Sequence, residues 1–86
     1  MPTVTMRYWA AAREAAGTQE ESCEAATLAE ALAAVRARRS GDDRFGRVLA
    51  RSSFLVDSDP VGRRDPAGVA LAEGATVEVL PPFAGG

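Results

Sequence analysis

Residues 71–86 read LAEGATVEVLPPFAGG, and this stretch decides how the rest of the chain must be arranged. Glu73-Gly74 reads as a turn. Beyond it the alternation puts Val77 and Val79 on one face and Glu78 and Leu80 on the other, the pattern of a half-buried strand. Pro81 and Pro82 cannot donate ladder hydrogen bonds, so pairing must end there and the chain leaves in an extended, polyproline-like path. The prolines reduce the entropy lost in ordering that path. Phe83, Ala84, Gly85 and Gly86 follow. Glycine has no side chain, so the last two residues suit a channel too narrow for any other residue. A terminal carboxylate there, with an unperturbed pKa of about 3.3 to 3.7, is ionised at neutral pH and nucleophilic toward an activated phosphate.

A strand that ends this way needs neighbours, and the other end of the chain supplies one. TVTMRYW, residues 3–9, places Val4, Met6 and Tyr8 on one face and Thr3, Thr5, Arg7 and Trp9 on the other. AAAREAAG then predicts one or two helical turns closed by Gly17 in a left-handed cap. QEESCEAA predicts a second strand returning antiparallel beside the first, with Cys23 a small half-buried side chain. Thr27 and Glu30 form a capping box, and Leu28, Ala31, Leu32 and Val35 recur at helical spacing, so the main helix runs from here to near Arg39. A further helical turn is expected around Val48 and Leu49. After it comes a short strand at Phe54 to Val56, stopped by DSDP, and a loop or edge segment at VGRRDPAG. The order strand, strand, helix, strand, strand predicts an α+β domain in which a mixed sheet wraps one main helix, the β-grasp or ubiquitin-like architecture. Residues 1–82 form that domain and residues 83–86 a flexible tail. With the first and last strands parallel at the centre, Trp9 and Leu80 become neighbours on the face away from the helix, at the root of the tail. Apolar residues exposed beside a site mark partner surfaces.

Composition narrows the chemistry. The 86 residues are 47% hydrophobic and 26% charged, a globular balance. Neither a membrane span nor a signal-peptide pattern is present, and a cytoplasmic protein is expected. A net charge of -2 argues against a nucleic acid partner, although Arg36, Arg38, Arg39, Arg44, Arg47 and Arg51 cluster locally. That cluster reads either as a solvated face with favourable helix-end charge or as a docking patch for a partner or an anionic ligand. There is no histidine, so the commonest acid-base and metal-binding side chain is missing. The lone Cys23 excludes an internal disulfide and every multi-cysteine zinc pattern, and no metal or bound cofactor is expected. All ten basic residues are arginines, so no lysine is present to form a Schiff base or accept an isopeptide link.

YWAAAREAAG resembles an aromatic-Ala-x-x-Arg-Glu-x-x-Gly segment, and LAEGATVEVLPPFAGG a Leu-x-Asp/Glu-Gly-x-x-Val…Pro-Pro-x-x-Gly-Gly ending. Both segments are similar to those of the MoaD branch of the MoaD/ThiS sulfur carriers, the small subunit of molybdopterin synthase. The resemblance implies that Gly86 is adenylated with ATP by a ubiquitin-activating-like (MoeB-like) enzyme and converted to a thiocarboxylate by a sulfur donor enzyme. The tail, Pro82, Phe83, Ala84 and Gly85, would then enter a MoaE-like large subunit, delivering sulfur to cyclic pyranopterin monophosphate in molybdopterin synthesis. Trp9, Arg13 and Leu80 match the large-subunit contact surface. On this reading the chain is non-catalytic alone, and the large subunit supplies the active site. Phe83 stands where a smaller valine is common, Ala75 replaces a frequent aspartate, and VDSDP sits where a Val-Asn-Gly-like turn is usual. A carrier for thiazole, cysteine or transfer RNA thiolation, a ubiquitin-like protein modifier and a non-covalent interaction module remain alternatives.

Overall fold

The structure, a computed structural model, describes residues 1–82. Its elements are β1 (Thr3–Tyr8), α1 (Ala10–Ala16), β2 (Glu20–Glu24), α2 (Leu28–Ala37), α3 (Asp43–Arg51), β3 (Ser53–Val56), β4 (Asp59–Pro60), a 3-10 turn at Pro66–Gly68, and β5 (Thr76–Leu80). The strands form one sheet in the order β2-β1-β5-β3-β4. β1 and β5 run parallel, from Thr5 opposite Thr76 to Tyr8 opposite Val79, and every other pairing is antiparallel. This is the mixed β-grasp sheet expected from the sequence.

Local chemistry explains the boundaries. Gly17, at φ 79°, closes α1 and donates its N–H to the Arg13 carbonyl at 3.0 Å. Thr27 Oγ1 accepts the Glu30 N–H at 3.2 Å, while Glu30 Oε1 accepts the Ala26 N–H at 2.8 Å, so the capping box reaches one residue beyond the cap. The region around Val48 and Leu49 is a nine-residue helix and not a single turn. Asp42 starts it by accepting the Phe45 N–H at 3.0 Å, a cap concealed in the polar run SGDD. DSDP does not simply stop β3. Asp57 and Ser58, at φ 49° and 70°, make the two-residue reversal of a hairpin, and Asp59–Pro60 pairs back as β4.

One face of the sheet is covered by helices. Val4, Met6 and Tyr8 of β1 and Val77 and Val79 of β5 are buried against Leu28, Ala31 and Val35 of α2 and against Phe45 and Leu49 of α3. Leu32 packs at the margin of this core and is only half-buried. Cys23 is buried rather than half-buried, because it faces inward opposite Val4 on the neighbouring strand. Burial pushes its thiol pKa up, against a smaller lowering by Arg38, so it stays protonated and unreactive at neutral pH.

Arg39 fastens these layers together. Its Nη1 lies 2.7 Å from Glu21 Oε2 and also donates to the Val35 carbonyl, while its Nε donates to the Ala16 carbonyl at the end of α1. Its guanidinium stands 4.6 Å from the Phe45 ring centroid and 5.7 Å from that of Tyr8, and the two rings meet edge to face. Glu21 also accepts from Arg38 Nη1 at 2.9 Å and from the Tyr8 hydroxyl. Burial alone would raise the Glu21 pKa, but the bonds from Tyr8, Arg39 and Arg38 outweigh it and hold the carboxyl below its usual range. The Tyr8 hydroxyl is driven strongly upward, first by burial and then by Glu21.

Arg39→Ala should destabilise the fold by roughly 2 kcal/mol in urea denaturation, because it removes one of the two cations on Glu21 together with the bonds to the Ala16 and Val35 carbonyls and the packing on Phe45. The signs of the two shifts set a pH window. Glu21, depressed, stabilises the fold above its unfolded pKa and loses that effect as acid protonates it. Tyr8, raised, stabilises below the ordinary phenol value of 10.0 and loses that effect as alkali ionises it. In an alkaline titration followed by phenolate absorbance, the sole tyrosine should therefore ionise together with cooperative unfolding and not at the ordinary phenol pKa.

Candidate functional site: the root of the C-terminal segment

β1 and β5 are parallel, so both deliver their C-terminal ends to one edge of the molecule. At that edge β1 passes into Trp9 and β5 into Pro81. The sequence pattern counts Trp9 as the last strand residue, but regular β1 ends at Tyr8 and Trp9 caps α1. The backbone turns at Ala10, whose φ of 47° is left-handed, a conformation costly for a residue with a Cβ. Pairing nonetheless continues through one more bond, from the Trp9 N–H to the Val79 carbonyl at 3.2 Å.

The Trp9 indole is held on the outer face of the sheet. Its Nε1 donates to Glu78 Oε1 at 3.2 Å, and the Arg7 guanidinium stands 5.3 Å from its ring centroid. Arg7 in turn lies 4.0 Å from Glu20. A row of Glu20, Arg7, Trp9 and Glu78 thus crosses three strands and fixes the orientation of an indole that is 38% exposed. Met1 is the only other exposed large hydrophobic residue among those described.

Trp9, Arg13, Leu80 and Pro82 line one concave surface, together with Glu14 and Arg51. The three residues expected at a partner interface are therefore brought together, and Pro82 lies with them. Leu80 and Pro81 are half-buried, and Pro82 and Arg13 are exposed. Phe83, Ala84, Gly85 and Gly86 lie outside the described residues. The pattern missed Arg51, which reaches this surface from the C-terminal end of α3; recognising Asp42 as a helix cap would have placed it. Glu78 was legible as an outward residue, but its bond to the indole was not.

The surface sets an apolar patch of Trp9, Leu80, Pro81 and Pro82 beside the charged side chains of Arg13, Glu14 and Arg51. Among the described residues no cluster of three or more histidine, cysteine, aspartate or glutamate side chains is placed to hold a metal ion. Nor is any described helix long and apolar enough to cross a membrane.

Comparison with known proteins fits this geometry. The model of the ThiS family matches residues 6–86. No curated protein sequence matches the chain. Among solved structures, small archaeal modifier protein 1 from Methanosarcina acetivorans superposes with a TM-score of 0.83 at 19% identity, covering 100% of this chain and 98% of that one. CysO from Mycobacterium tuberculosis gives 0.74 at 21%, covering 93% and 99%. A complex of subunits 1 and 2 of the molybdopterin-converting factor from Helicobacter pylori gives 0.66 at 19%, covering 98% and 99%. Identities this low carry the fold alone. The family match spans nearly the whole chain, from the middle of β1 through the double glycine, and the chain belongs to the ThiS family of ubiquitin-like sulfur carriers.

Proposed function

We propose that this carrier serves molybdopterin synthesis and that Gly86 is its working residue. The observation that carries the reading is the concave surface at the tail root. Trp9 and Leu80 present apolar area beside Pro82, the last described residue before Phe83, Ala84, Gly85 and Gly86. A ubiquitin-activating-like, MoeB-like enzyme would use ATP to convert the Gly86 carboxylate to an acyl-adenylate, making an inert group a good acyl donor. Sulfur from a donor enzyme then displaces AMP, leaving a thiocarboxylate. That terminal sulfur is a soft nucleophile, and the tail carries it into a MoaE-like large subunit, where cyclic pyranopterin monophosphate accepts it. Support for such a partner comes from the Helicobacter pylori structure, in which subunit 1 is complexed with subunit 2. The double proline favours this pathway over thiazole, cysteine or transfer RNA thiolation. The body contributes binding and no catalysis, in keeping with a sequence that has neither histidine nor lysine.

Incubation with ATP, the activating enzyme and a sulfur donor should add roughly 16 mass units at Gly86, the exchange of one oxygen for sulfur at the terminal carboxyl. The product should then convert cyclic pyranopterin monophosphate in the presence of the large subunit. Deleting Gly86 should leave folding intact and abolish both steps, and a truncated chain that still supports synthesis would refute the assignment. Conversion of a thiazole, cysteine or transfer RNA acceptor instead would keep the carrier and change the pathway.

Leu80→Glu tests the contact surface separately. The side chain faces away from the core, so thermal stability should fall by less than about 1 kcal/mol, whereas partner affinity should drop at least tenfold through loss of a central apolar contact.

A further inference from the structure

Trp9 is held more firmly than an exposed side chain needs to be. Its backbone N–H donates to the Val79 carbonyl at 3.2 Å, and its own carbonyl accepts the N–H groups of Ala12 and Arg13 at 2.9 and 3.3 Å. The next residue, Ala10, is kept left-handed at φ 47° although it carries a Cβ. Such a conformation persists only where the surroundings over-determine it, and it gathers at ligand clamps and other working sites.

The side chain is fixed as well, by the register of the sheet. Arg7 stands opposite Glu20 across the β1–β2 pairing and opposite Glu78 across the β1–β5 pairing, so three charges form one row on the outer face. Trp9 lies two residues further along the same face of β1, diagonal to Glu78 and within reach of a long side chain. Glu78 Oε1 accepts the indole N–H at 3.2 Å, and the Arg7 guanidinium stands over the ring, 5.3 Å from its centroid. Arg7 Nε is buried and makes no hydrogen bond among the described residues, and its ion-pair contact to Glu20 Oε2 is 4.0 Å long. The guanidinium is therefore seated by the ring and by the Glu20 charge.

These contacts lie on the face of the sheet away from the core and add nothing to its packing. Trp9 lines the concave surface with Leu80 and Pro82, whereas neither Arg7 nor Glu78 lines it. We infer that Glu78 and Arg7 are positioning residues: they hold the indole in its bound orientation before the partner arrives, and act on the partner only through Trp9. Naming that partner as the large subunit rests on the function proposed above. A side chain already immobilised loses less entropy on binding. The one hydrogen-bond donor of the indole is also satisfied within the chain, so the partner needs an apolar counter-surface here and no acceptor.

Trp9 is the sole tryptophan, so indole emission reports this residue alone. In time-resolved anisotropy the indole of the free wild type should turn with the whole domain, and Glu78→Thr or Arg7→Thr should add a sub-nanosecond component. Glu78→Gln keeps an acceptor and should restore the wild-type decay. In calorimetric titration against the large subunit, Glu78→Thr should weaken binding about fivefold, and Glu78→Gln should stay within about twofold of wild type. Trp9→Phe removes the indole N–H, so adding Glu78→Thr to it should cost no further affinity. If Glu78→Thr melts below the assay temperature, Arg7→Thr carries the anisotropy and affinity measurements. A wild-type indole that already moves on the sub-nanosecond scale overturns the proposal, as does unchanged affinity in the variant that frees it. An equal loss from Glu78→Thr with and without Trp9→Phe also overturns it, because Glu78 then meets the partner directly. Wild-type carrier that fails to bind the large subunit overturns the proposed pathway and the partner named here, even with the anisotropy as expected.

Discussion

The parallel pairing of β1 with β5 is the constraint on which the rest of this structure depends. Parallel neighbours place their C-terminal ends at the same edge of a sheet, whereas an antiparallel pair would put Trp9 and Leu80 at opposite edges. The pairing is central, with β2 outside β1 and β3 outside β5, so neither strand presents a free edge there. Met6, Tyr8, Val77 and Val79 bury the inner face of the pair. A one-residue slip of either strand would turn its inward pair, Met6 and Tyr8 or Val77 and Val79, to the solvent face. The surface at the tail root is thus fixed by the same contacts that hold the core.

A small domain buries only part of its surface, and this one supplements its apolar core with a polar fastening at Arg39. One guanidinium joins the end of α1, the body of α2, Glu21 on β2 and the rings of Tyr8 and Phe45. Arginine suits the task because its planar head makes several directed bonds while its faces pack on aromatic rings. The arrangement ties α1 and α3 to the sheet. It thereby steadies Arg13 and Arg51, which those helices present beside Trp9.

Much of this was legible in the sequence where one signal dominated. Alternation in TVTMRYW and TVEVL gave the two central strands and their inward faces, and Thr27 with Glu30 gave the start of α2. What escaped depended on contacts between distant residues or on competing signals. The stretch 43–51 carries three arginines, a glycine and an aspartate among few apolar residues, so periodicity alone showed one turn. Phe45 and Leu49, four residues apart and both buried, are the face that anchors the whole helix. Asp57-Ser58 lacks the glycine usual in a tight hairpin, which hid β4. Glu21 and Arg39, 18 positions apart, left no local trace of their pairing, and Trp9 leaves the strand because of a left-handed Ala10 that no propensity anticipates.

The proposed function places the chemistry at Gly86, outside the described residues, and gives the surface of Trp9, Leu80 and Pro82 the task of binding a partner. The most direct measurement is the intact mass of the carrier purified from its own cells, after an alkylating reagent has trapped any thiocarboxylate. The account predicts a fraction of chains ending at Gly86 and carrying one trapped group on that residue. Chains that extend past Gly86 in their mature form, or that end there and never carry sulfur under conditions of active cofactor synthesis, would contradict it.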